Sequence, residues 1–308
     1  MHRRALLKIL MGSGCASLIM SIPAQAASVA LSGQAFASLK KSPRMPVLFL
    51  GHGSPMNAIE DNAYRRSWQA LGAEFGATAA AKYPTPQLIL CISAHWLTRG
   101  WHLTAMDAPK TIHDFGGFPQ ALFDQQYPAP GAPVSAREIS ESITTPLIGL
   151  DTKEWGLDHG TWSVLKPMFP DAKIPVVQLS MDYSRAPAQH FALGQQLAKL
   201  RDHGVLIVGS GNIVHNLRAM KWGPGQSPAY DWAKEFDQKV ASHIEHRQLP
   251  VLSDFQMLGQ VAQLAHPTHE HYLPLLYTAG AADAKDNVRF FNVDFQGASI
   301  SMRSVIWS

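Results

Sequence analysis

The sequence predicts an α/β fold with a largely parallel central sheet, helices flanking that sheet, and a C-terminal antiparallel hairpin. Short apolar runs rich in Val, Leu and Ile recur along the 308 residues, and segments with helical periodicity separate them. This alternation is typical of βαβ units, because two parallel strands need a long crossover connection that is usually a helix. Hydrophobic residues make up 46% of the chain, which is enough for a sizeable core.

The predicted elements follow one another from residue 46 onward. Strands are expected at residues 46–50, 88–92, 176–179 and 205–208. Helices are expected at residues 62–75, 135–143, 187–203 and 231–246. Residues 108–133 are rich in Gly and Pro, which favours a loop, and the tail at 289–307 has the pattern of a two-stranded hairpin. Residues 45–308 are therefore predicted to form one domain.

The first residues have the order of an export signal. Arg3 and Arg4 precede an apolar run, and residues 24–26 have the small-x-small form of a cleavage site. The paired arginines indicate the twin-arginine route, so residues 1–26 are interpreted as a signal peptide, residues 27–44 as a linker, and the periplasm as the destination. The apolar run is short and interrupted by glycine, so no stable membrane insertion is expected once the signal is removed.

The charge and the cysteine content argue against a nucleic-acid partner and against an internal disulfide. Arg3, Arg4 and Lys8 account for the whole formal net charge of +3, so the chain beyond the signal is near neutral and has no basic stripe. A nucleic-acid partner is therefore not expected. Cys91 is the one cysteine after residue 26, so an internal disulfide is excluded.

Histidines follow three of the four predicted strands. His52 comes after the first strand, His95 after the second and His215 after the fourth. Ligands in open α/β sheets bind outside the carboxyl ends of the strands, so these side chains are expected at one edge. His271 precedes a further apolar segment. A lone histidine is more simply a hydrogen-bonded core residue, but neutral imidazole is also the commonest metal ligand. The set therefore predicts one mononuclear metal site.

Other catalytic motifs fit the sequence poorly. Residues 51–54 lack the Gly-x-Ser-x-Gly nucleophile elbow, and residues 209–212 lack the Gly-Lys-Ser/Thr ending of a phosphate loop. Residues 269–271 do not place two histidines one helical turn apart. Because several nitrogen ligands suit zinc, a zinc-dependent hydrolase and a non-catalytic exported metal-binding protein are two possible interpretations of such a site.

Six motifs resemble the class III extradiol ring-cleavage dioxygenases, specifically their DOPA 4,5-dioxygenase-type branch. The motifs occur in the order of that family and span residue 45 to about residue 306, so the resemblance implies that residues 45–308 are a catalytic domain. The export signal departs from the cytoplasmic bacterial members. The motifs are Gly51-His52-Gly53-Ser54-Pro55-Met56, Ser93-Ala94-His95-Trp96, Thr111-Ile112-His113-Asp114-Phe115-Gly116-Gly117-Phe118-Pro119, Trp155-Gly156-Leu157-Asp158-His159-Gly160-Thr161-Trp162, Gly211-Asn212-Ile213-Val214-His215-Asn216-Leu217 and Glu270-His271-Tyr272-Leu273-Pro274-Leu275.

The resemblance implies a site for Fe(II), with Zn(II) possible in the isolated protein. His52 and His95 match the first two metal ligands of the family. His271 matches the third, but related enzymes complete a two-histidine, one-carboxylate face, so Glu270 is an alternative. His215 matches the family's acid–base histidine, and it could also serve as a fourth ligand when zinc is bound.

The implied reaction opens the ring of a DOPA-like catechol with O2 and gives a muconic semialdehyde. His159 joins His215 as a candidate catalytic residue. A monomer or small homo-oligomer is expected. The candidates to bind the substrate or to wall its ring are His113, Trp96, Phe115, Phe118 and Trp162.

Overall fold

A mixed eight-stranded sheet organises the protein, for which the computed structural model describes residues 36–223 and 227–308. The predicted signal peptide, residues 1–26, and the first part of the predicted linker lie outside the described residues. The strands are β1 Val47–Gly51, β2 Leu88–Thr98, β3 Trp101–Thr104, β4 Lys110–Thr111, β5 Ile148–Asp151, β6 Gly156–Leu157, β7 Val176–Asp182, β8 Val205–Gly211, β9 Val288–Phe291, β10 Phe295–Gln296, β11 Ile300–Ser301 and β12 Ser304–Trp307. The α-helices are α1 Ala63–Gly72, α2 Gln120–Phe123, α3 Pro133–Glu141, α4 His159–Met168, α5 Pro187–Leu197, α6 Asp231–Glu245, α7 Gln260–Ala265 and α8 Leu273–Ala281.

The sheet has the strand order β5-β3-β7-β2-β8-β1-β12-β9. Its four central strands, β7, β2, β8 and β1, are all parallel. β12 pairs antiparallel with β1, and β9 pairs antiparallel with β12. On the other side β3 is antiparallel to β7 and parallel to β5. The predicted α/β class, the parallel centre and the C-terminal antiparallel hairpin are confirmed.

Two hydrophobic cores lie on the two faces of the sheet. The side chains of a strand alternate between faces, and β1 illustrates this. Val47 and Phe49 belong to the core beneath α5, α6 and α8, whereas Leu48 and Leu50 belong to the core beneath α1 and α4. All four are fully buried. Burial on both faces explains why the central strands have continuous apolar sequences rather than alternating ones.

Glycines near the end of β8 allow the first turn of α8 to approach the sheet closely. A Cβ on Gly209 would lie 2.6 Å from the carbonyl oxygen of Pro274, and one on Gly211 would overlap the carbonyl oxygen of His271. The backbone N–H of Asn212 donates to that same His271 carbonyl at 2.8 Å. The glycines of this loop therefore bring residue 271 to the edge of the sheet where β8 ends.

Most predicted elements are present, with shifted ends. The Asn62 side chain caps α1 by accepting from the N–H of Arg65, so the helix begins where the sequence indicated. The second strand is longer than predicted, because β2 continues through a register shift between Ile92 and Leu97 and so includes His95. The short strands β3 and β5 and the helix α4 were not predicted, and the predicted loop at residues 108–133 contains β4 and α2.

Residues 36–44, which were assigned to the linker, pack against the domain. Phe36 and Leu39 are buried in the core beneath α5 and α8. The backbone N–H of Ser38 donates to the carboxylate of Glu138 on α3 at 3.1 Å. Residues from Phe36 to Arg44 are therefore part of the packed domain. Among the described residues, no helix combines the length and apolar character that crossing a membrane requires.

Arg201 is the buried cation whose removal is expected to destabilise the fold most clearly. Its guanidinium forms a bidentate pair with Asp286 at 2.7 and 2.9 Å and also donates to the carbonyl of Met45 at 2.7 Å. Both side chains of the pair are buried. Arg201→Ala would leave a buried carboxylate without its partner, which should lower the free energy of unfolding by about 3–5 kcal/mol. Urea denaturation followed by circular dichroism measures this.

The exposed pair between Arg44 and Asp202, also at 2.9 Å, provides the matched control. Arg44→Ala should cost no more than about 1 kcal/mol, because solvent screens the pair. Equal losses in the two variants would contradict the structural role given to Arg201.

Candidate metal centre

Three parallel strands bring the first three predicted histidines to one edge of the sheet. β1 and β2 both pair with β8, with Phe49 and Ile92 each opposite Gly209. His52 directly follows β1, His95 lies in the extension of β2, and His215 follows β8. The predicted common edge is therefore present.

The N-terminal ends of two helices, α4 and α8, bring two further histidines to this edge of the sheet. His159 is the first residue of α4, which the Asp158 side chain caps by accepting from the N–H of Thr161. His271 lies two residues before α8 and is held by its backbone contact with Asn212. The site thus contains five histidines, the four predicted as metal-binding together with His159.

The imidazole rings lie within direct contact distance of one another. The Nε2 atoms of His52 and His95 are 3.4 Å apart. The ring centroids of His95 and His159 are 3.8 Å apart, and the rings of His215 and His271 stack at 3.4 Å. One nitrogen from each of His52, His95 and His159 lies within 4.8 Å of the others, and His215, Glu270 and His271 form a second such group. His52, His95 and His159 fit a non-haem metal site, and the adjoining group adds further donors of the same chemistry.

Hydrogen bonds fix which nitrogen of His52 is free. Its Nδ1 lies 2.9 Å from the hydroxyl of Ser210, and that hydroxyl donates its own proton to the carbonyl of Gly160 at 2.5 Å. The hydroxyl oxygen must therefore accept from Nδ1–H of His52. The lone pair of His52 is then on Nε2, which faces His95. This is the arrangement of a metal-ligating histidine with a second partner behind it.

Carboxylates lie beside the Nδ1 atoms of three other histidines, His95, His159 and His271. The Asp114 carboxylate lies 3.0 Å from Nδ1 of His159 and 3.4 Å from Nδ1 of His95. Nδ1 of His271 donates to Glu270 at 3.0 Å. The hydrogen bond of His271 leaves its Nε2 as the donor atom toward the centre of the cluster, whereas His95 and His159 have Asp114 beside Nδ1 as a charged neighbour. Glu270 thus lies beside His271 as its hydrogen-bond partner.

Burial and mutual proximity keep four histidines of the cluster, His52, His95, His215 and His271, neutral. Burial is the largest cause that lowers the pKa of His52, His95 and His271 well below 6.5, and the neighbouring histidines lower it further. The same causes lower the pKa of His215 to about 4. Neutral imidazole is the form that binds metals, so the cluster is prepared for a cation near neutral pH.

Asp114 is the charged group of the cluster. Burial alone raises its pKa, but the hydrogen bond and charge of His159, and then the charge of His95, lower that pKa to about 2. Its carboxylate is therefore ionised across the physiological range. A negative charge behind two imidazoles increases their basicity toward a metal.

The histidines form the inner end of a cavity of about 480 Å³. This volume is in the range of small-molecule binding sites. Phe115 and Phe118, two of the residues predicted to wall a substrate ring, line the cavity, and their rings meet edge to face at 5.4 Å. Leu217 and Trp222, which are 52% and 73% exposed, line its open end.

Three residues that the sequence predicted for the pocket do not line this cavity in the described part of the structure. Trp96 does not line the cavity, because neighbouring residues of β2 point to opposite faces and its ring stacks on Trp155 at 5.6 Å. His113 does not line it either, and its Nε2 is bonded to the carbonyl of Gln125 at 2.9 Å. Trp162 is fully buried behind Phe115 and donates to the carbonyl of Ile112.

Two residues of the site, Asp114 within a recognised motif and Ser210 just before another, received no role from the sequence. Asp114 is the acid that follows His113, and Ser210 precedes the glycine at the end of β8. An acidic residue in a loop rich in Gly and Phe could have identified Asp114 as a site residue from the sequence. The role of Ser210 depends on its hydroxyl being between His52 and Gly160, a three-dimensional relation that spacing does not reveal.

The buried histidines predict a characteristic acid sensitivity of the metal-free protein. A histidine whose pKa is lower in the folded state contributes stability above its unfolded pKa of 6.5, and that contribution is lost as pH falls. For His215 the loss extends from pH 6.5 to about 4. His215→Gln should therefore reduce the slope of unfolding free energy against pH in this window by about 1.4 kcal/mol per pH unit, the value for one proton. Urea titrations at several pH values measure both slopes, and equal slopes would contradict the assignment.

Comparison with known proteins identifies the family. The family described as the catalytic LigB subunit of aromatic ring-opening dioxygenase matches residues 46–302. An Escherichia coli K12 protein named 4,5-DOPA dioxygenase extradiol is 49% identical over 87% of this chain and 96% of its own length. A Beta vulgaris protein of the same name is 34% identical over 83% of this chain and 94% of its own.

A solved structure supports the same relationship. The crystal structure of uncharacterized protein JW3007 from Escherichia coli K12 has a TM-score of 0.72 and 43% identity, and the match covers 86% of this chain and all of that one. These matches favour a redox enzyme over the zinc-dependent hydrolase and the non-catalytic binding protein. The chain belongs to the aromatic ring-opening dioxygenase family of the catalytic LigB subunit, and it is an extradiol dioxygenase of the DOPA 4,5-dioxygenase type.

Proposed function

We propose that this dioxygenase uses Fe(II), held by His52, His95 and His271, to cleave the ring of a substituted, DOPA-like catechol with O2 to a muconic semialdehyde. The observation that carries the proposal is the set of imidazoles that line one cavity, with Nδ1 of His52 and His271 hydrogen-bonded and the Asp114 carboxylate beside Nδ1 of His95. Imidazoles and a nearby carboxylate are donors of the kind used by non-haem iron oxygenases. The DOPA-like substrate class is supported by the names of the relatives.

The bound metal would supply Lewis acidity toward the catechol hydroxyls and a path by which electrons pass from the catechol to O2, so that the catechol is the reductant. Zn(II) suits the same nitrogen donors, so it is proposed as an occupant of the isolated protein without ring-opening activity. In that state His215, whose ring stacks on His271, is close enough to add a fourth nitrogen.

His215 is proposed as the base that takes a proton from a catechol hydroxyl and later returns it. Its lowered pKa of about 4 means that its imidazole is neutral and able to accept a proton at physiological pH. It lines the cavity directly. General acid–base catalysis of this kind is typically worth about 10²–10⁴-fold in rate.

One nitrogen of His159 also lies within 4.8 Å of nitrogens of His52 and His95. We propose that His271 completes the ligand set and that His159 instead orients the substrate and stabilises developing negative charge. Asp114 lies 3.0 Å from its Nδ1, and the Asp114 carboxylate also accepts from the backbone N–H of His159 at 2.9 Å. The backbone hydrogen bond fixes the start of α4 beside Asp114, and the carboxylate lies close to the Nδ1 side of the ring. Phe115 and Phe118 would enclose the aromatic ring of the substrate and exclude water from it.

Export to the periplasm by the twin-arginine route is proposed with this function. The paired Arg3 and Arg4, the apolar run and the small-x-small residues 24–26 support it. That route carries folded protein, so the metal could be inserted before export. We further propose that the enzyme acts as a monomer or small homo-oligomer on a small catechol.

Removal of His95 tests the metal site. His95→Ala should lose its stoichiometric Fe(II) or Zn(II), because a two-histidine remainder binds either metal more weakly. Metal content after anaerobic loading and dialysis, measured by mass spectrometry, gives the result. His246→Ala, at an exposed histidine that follows α6, should keep full metal content. Full iron retention in His95→Ala would contradict its assignment as a ligand.

Removal of His215 tests the proposed chemistry. The iron-loaded wild type should consume O2 with a panel of catechols and form a yellow ring-cleavage product. His215→Ala should keep its iron but lose about 10²–10⁴-fold in kcat, because the proton acceptor is gone. An oxygen electrode and absorbance spectra measure both. Wild-type turnover in this variant would remove His215 from the mechanism, and no oxygen uptake with any catechol would contradict the proposed function.

A further inference from the structure

Gln178 is a buried amide in an otherwise apolar part of β7, and the proposed chemistry gives it no role. Its neighbours Val177 and Leu179 belong to the core beneath α5, α6 and α8, whereas Gln178 shares the opposite face of the strand with Val176. The Gln178 side chain is fully buried. A buried amide is costly unless it is hydrogen-bonded, so its partners indicate why this core accommodates a polar side chain.

Both ends of the Gln178 amide contact the first turn of α4. Its Nε2 donates to Oδ2 of Asp158, and its Oε1 accepts from the hydroxyl of Thr161 at 2.9 Å and from the backbone N–H of Asp158 at 3.4 Å. Oδ1 of Asp158 in turn accepts from the backbone N–H of Thr161 at 3.0 Å. Asp158 and Thr161 are themselves fully buried. One side chain of β7 thus holds the start of the helix that packs on this face of the sheet.

This turn carries His159 and is connected to His52. His159 is the first residue of α4. The carbonyl of Gly160, the next residue, accepts from the hydroxyl of Ser210 at 2.5 Å, and that hydroxyl accepts from Nδ1 of His52. A displacement of the turn would therefore move His159 directly, and it would also move the carbonyl that fixes the tautomer of His52.

The same turn is connected to His95 through Ser93. The Ser93 hydroxyl is hydrogen-bonded to the carboxyl group of Asp158, and its oxygen accepts from the backbone N–H of His95 at 3.3 Å. His95 lies in the part of β2 where the register with β7 shifts, so this contact holds the backbone where the regular pairing is interrupted. A Cβ at position 160 would overlap the Ser93 hydroxyl and lie 2.9 Å from Cδ2 of His95. Gly160 therefore allows α4 to pack directly against the segment that carries His95.

From these contacts we infer that Gln178 is a positioning residue for ring opening, which holds the first turn of α4 and thereby sets the relative places of His95 and His159. Gln178 does not line the cavity, so it acts only through these other residues. The inference rests on the proposed function, in which His95 is a metal ligand and His159 orients the substrate. A displacement of about 1 Å at a reacting group can cost about 10²-fold in rate, so a contact outside the cavity is able to affect turnover.

Gln178→Met tests this role, because it removes the hydrogen bonds of the amide and keeps a buried side chain of similar size. With the iron-loaded protein, kcat per bound iron should fall about 10–100-fold, the usual effect of removing a residue that orients metal-binding side chains. In the Co(II)-loaded protein the visible absorption spectrum reports the arrangement of the ligands, and its bands should shift or broaden. Both are measured well below the unfolding temperature, where a loss of stability alone leaves them unchanged.

Substitutions at Thr161 remove a single contact of the same amide. Thr161→Val deletes the hydroxyl that donates to Gln178, and it should lower kcat per bound iron in the same direction by a smaller factor. Thr161→Ser retains a hydroxyl and should keep the wild-type kcat and Co(II) spectrum. Wild-type kcat per bound iron in Gln178→Met, or in Thr161→Val where Gln178→Met does not fold, would overturn the inference.

Ser140→Ala is the control for loss of a hydrogen bond elsewhere in the fold. The Ser140 hydroxyl donates to the carbonyl of Ile148 at 2.6 Å and joins α3 to the edge strand β5. Neither residue lines the cavity. This variant should keep kcat per bound iron and the Co(II) spectrum even where it lowers the midpoint of unfolding. A comparable loss of kcat in Ser140→Ala would assign the effect of Gln178→Met to general destabilisation and overturn the inference.

The Co(II) spectrum separates this inference from the proposed function, since it requires neither a catechol nor O2. If the iron-loaded wild type consumes no O2 with any catechol, the proposed reaction is contradicted and the spectra alone decide the inference. Changed spectra in Gln178→Met and Thr161→Val would then support it, and wild-type spectra would overturn it. Ring opening by the wild type, together with unchanged kcat and spectra in both variants, would support the reaction and overturn the inference.

Discussion

Parallel pairing of β1, β8 and β2 is the constraint on which the rest of the site depends. Parallel strands end on the same side, and their common register at Gly209 places three histidines from distant parts of the chain at one edge. Each strand is buried on both faces, so a shift in register would move apolar side chains out of two cores at once. The positions of His52 and His95 therefore follow from hydrophobic packing, and their ligand geometry does not need to be held by the metal.

Two helices, α4 and α8, bring the remaining histidines of the cluster to the edge formed by the strands. α4 starts at His159 because Asp158 caps it, and α8 approaches the sheet because Gly209 and Gly211 leave room for its first turn. The same two helices carry much of the packing on opposite faces of the sheet. Stability and site assembly thus rely on the same contacts, and a variant that loosens either helix is expected to affect both. The buried pair of Arg201 and Asp286 is at the opposite end of α8, near Ala281, so it holds that helix from its other terminus.

The sequence predicted the parallel core and four of the five site histidines as ligands, because strand-end residues and apolar runs are both local signals. The resemblance gave His159 a catalytic role and no place among the ligands; its place in the cluster depends on α4, a helix buried along most of its length that the sequence did not reveal. Trp96 and His113 were expected in the pocket from their place beside motif residues. Their side chains instead pack against Trp155 and the Gln125 carbonyl, and sequence proximity does not reveal which face a residue occupies. Asp114 and Ser210 act through contacts with residues far away in the chain, which only the folded structure brings together.

The bond sequence from His52 to Ser210 to Gly160 has a direction that cannot reverse, since a carbonyl oxygen has no proton to give. His52 therefore keeps its Nδ1 proton, and its remaining nitrogen faces His95. The tautomer of His52 is thus set from inside the sheet, by a serine hydroxyl and a backbone carbonyl, before anything enters the cavity. His52 therefore presents a single lone pair, on Nε2, to the other histidines.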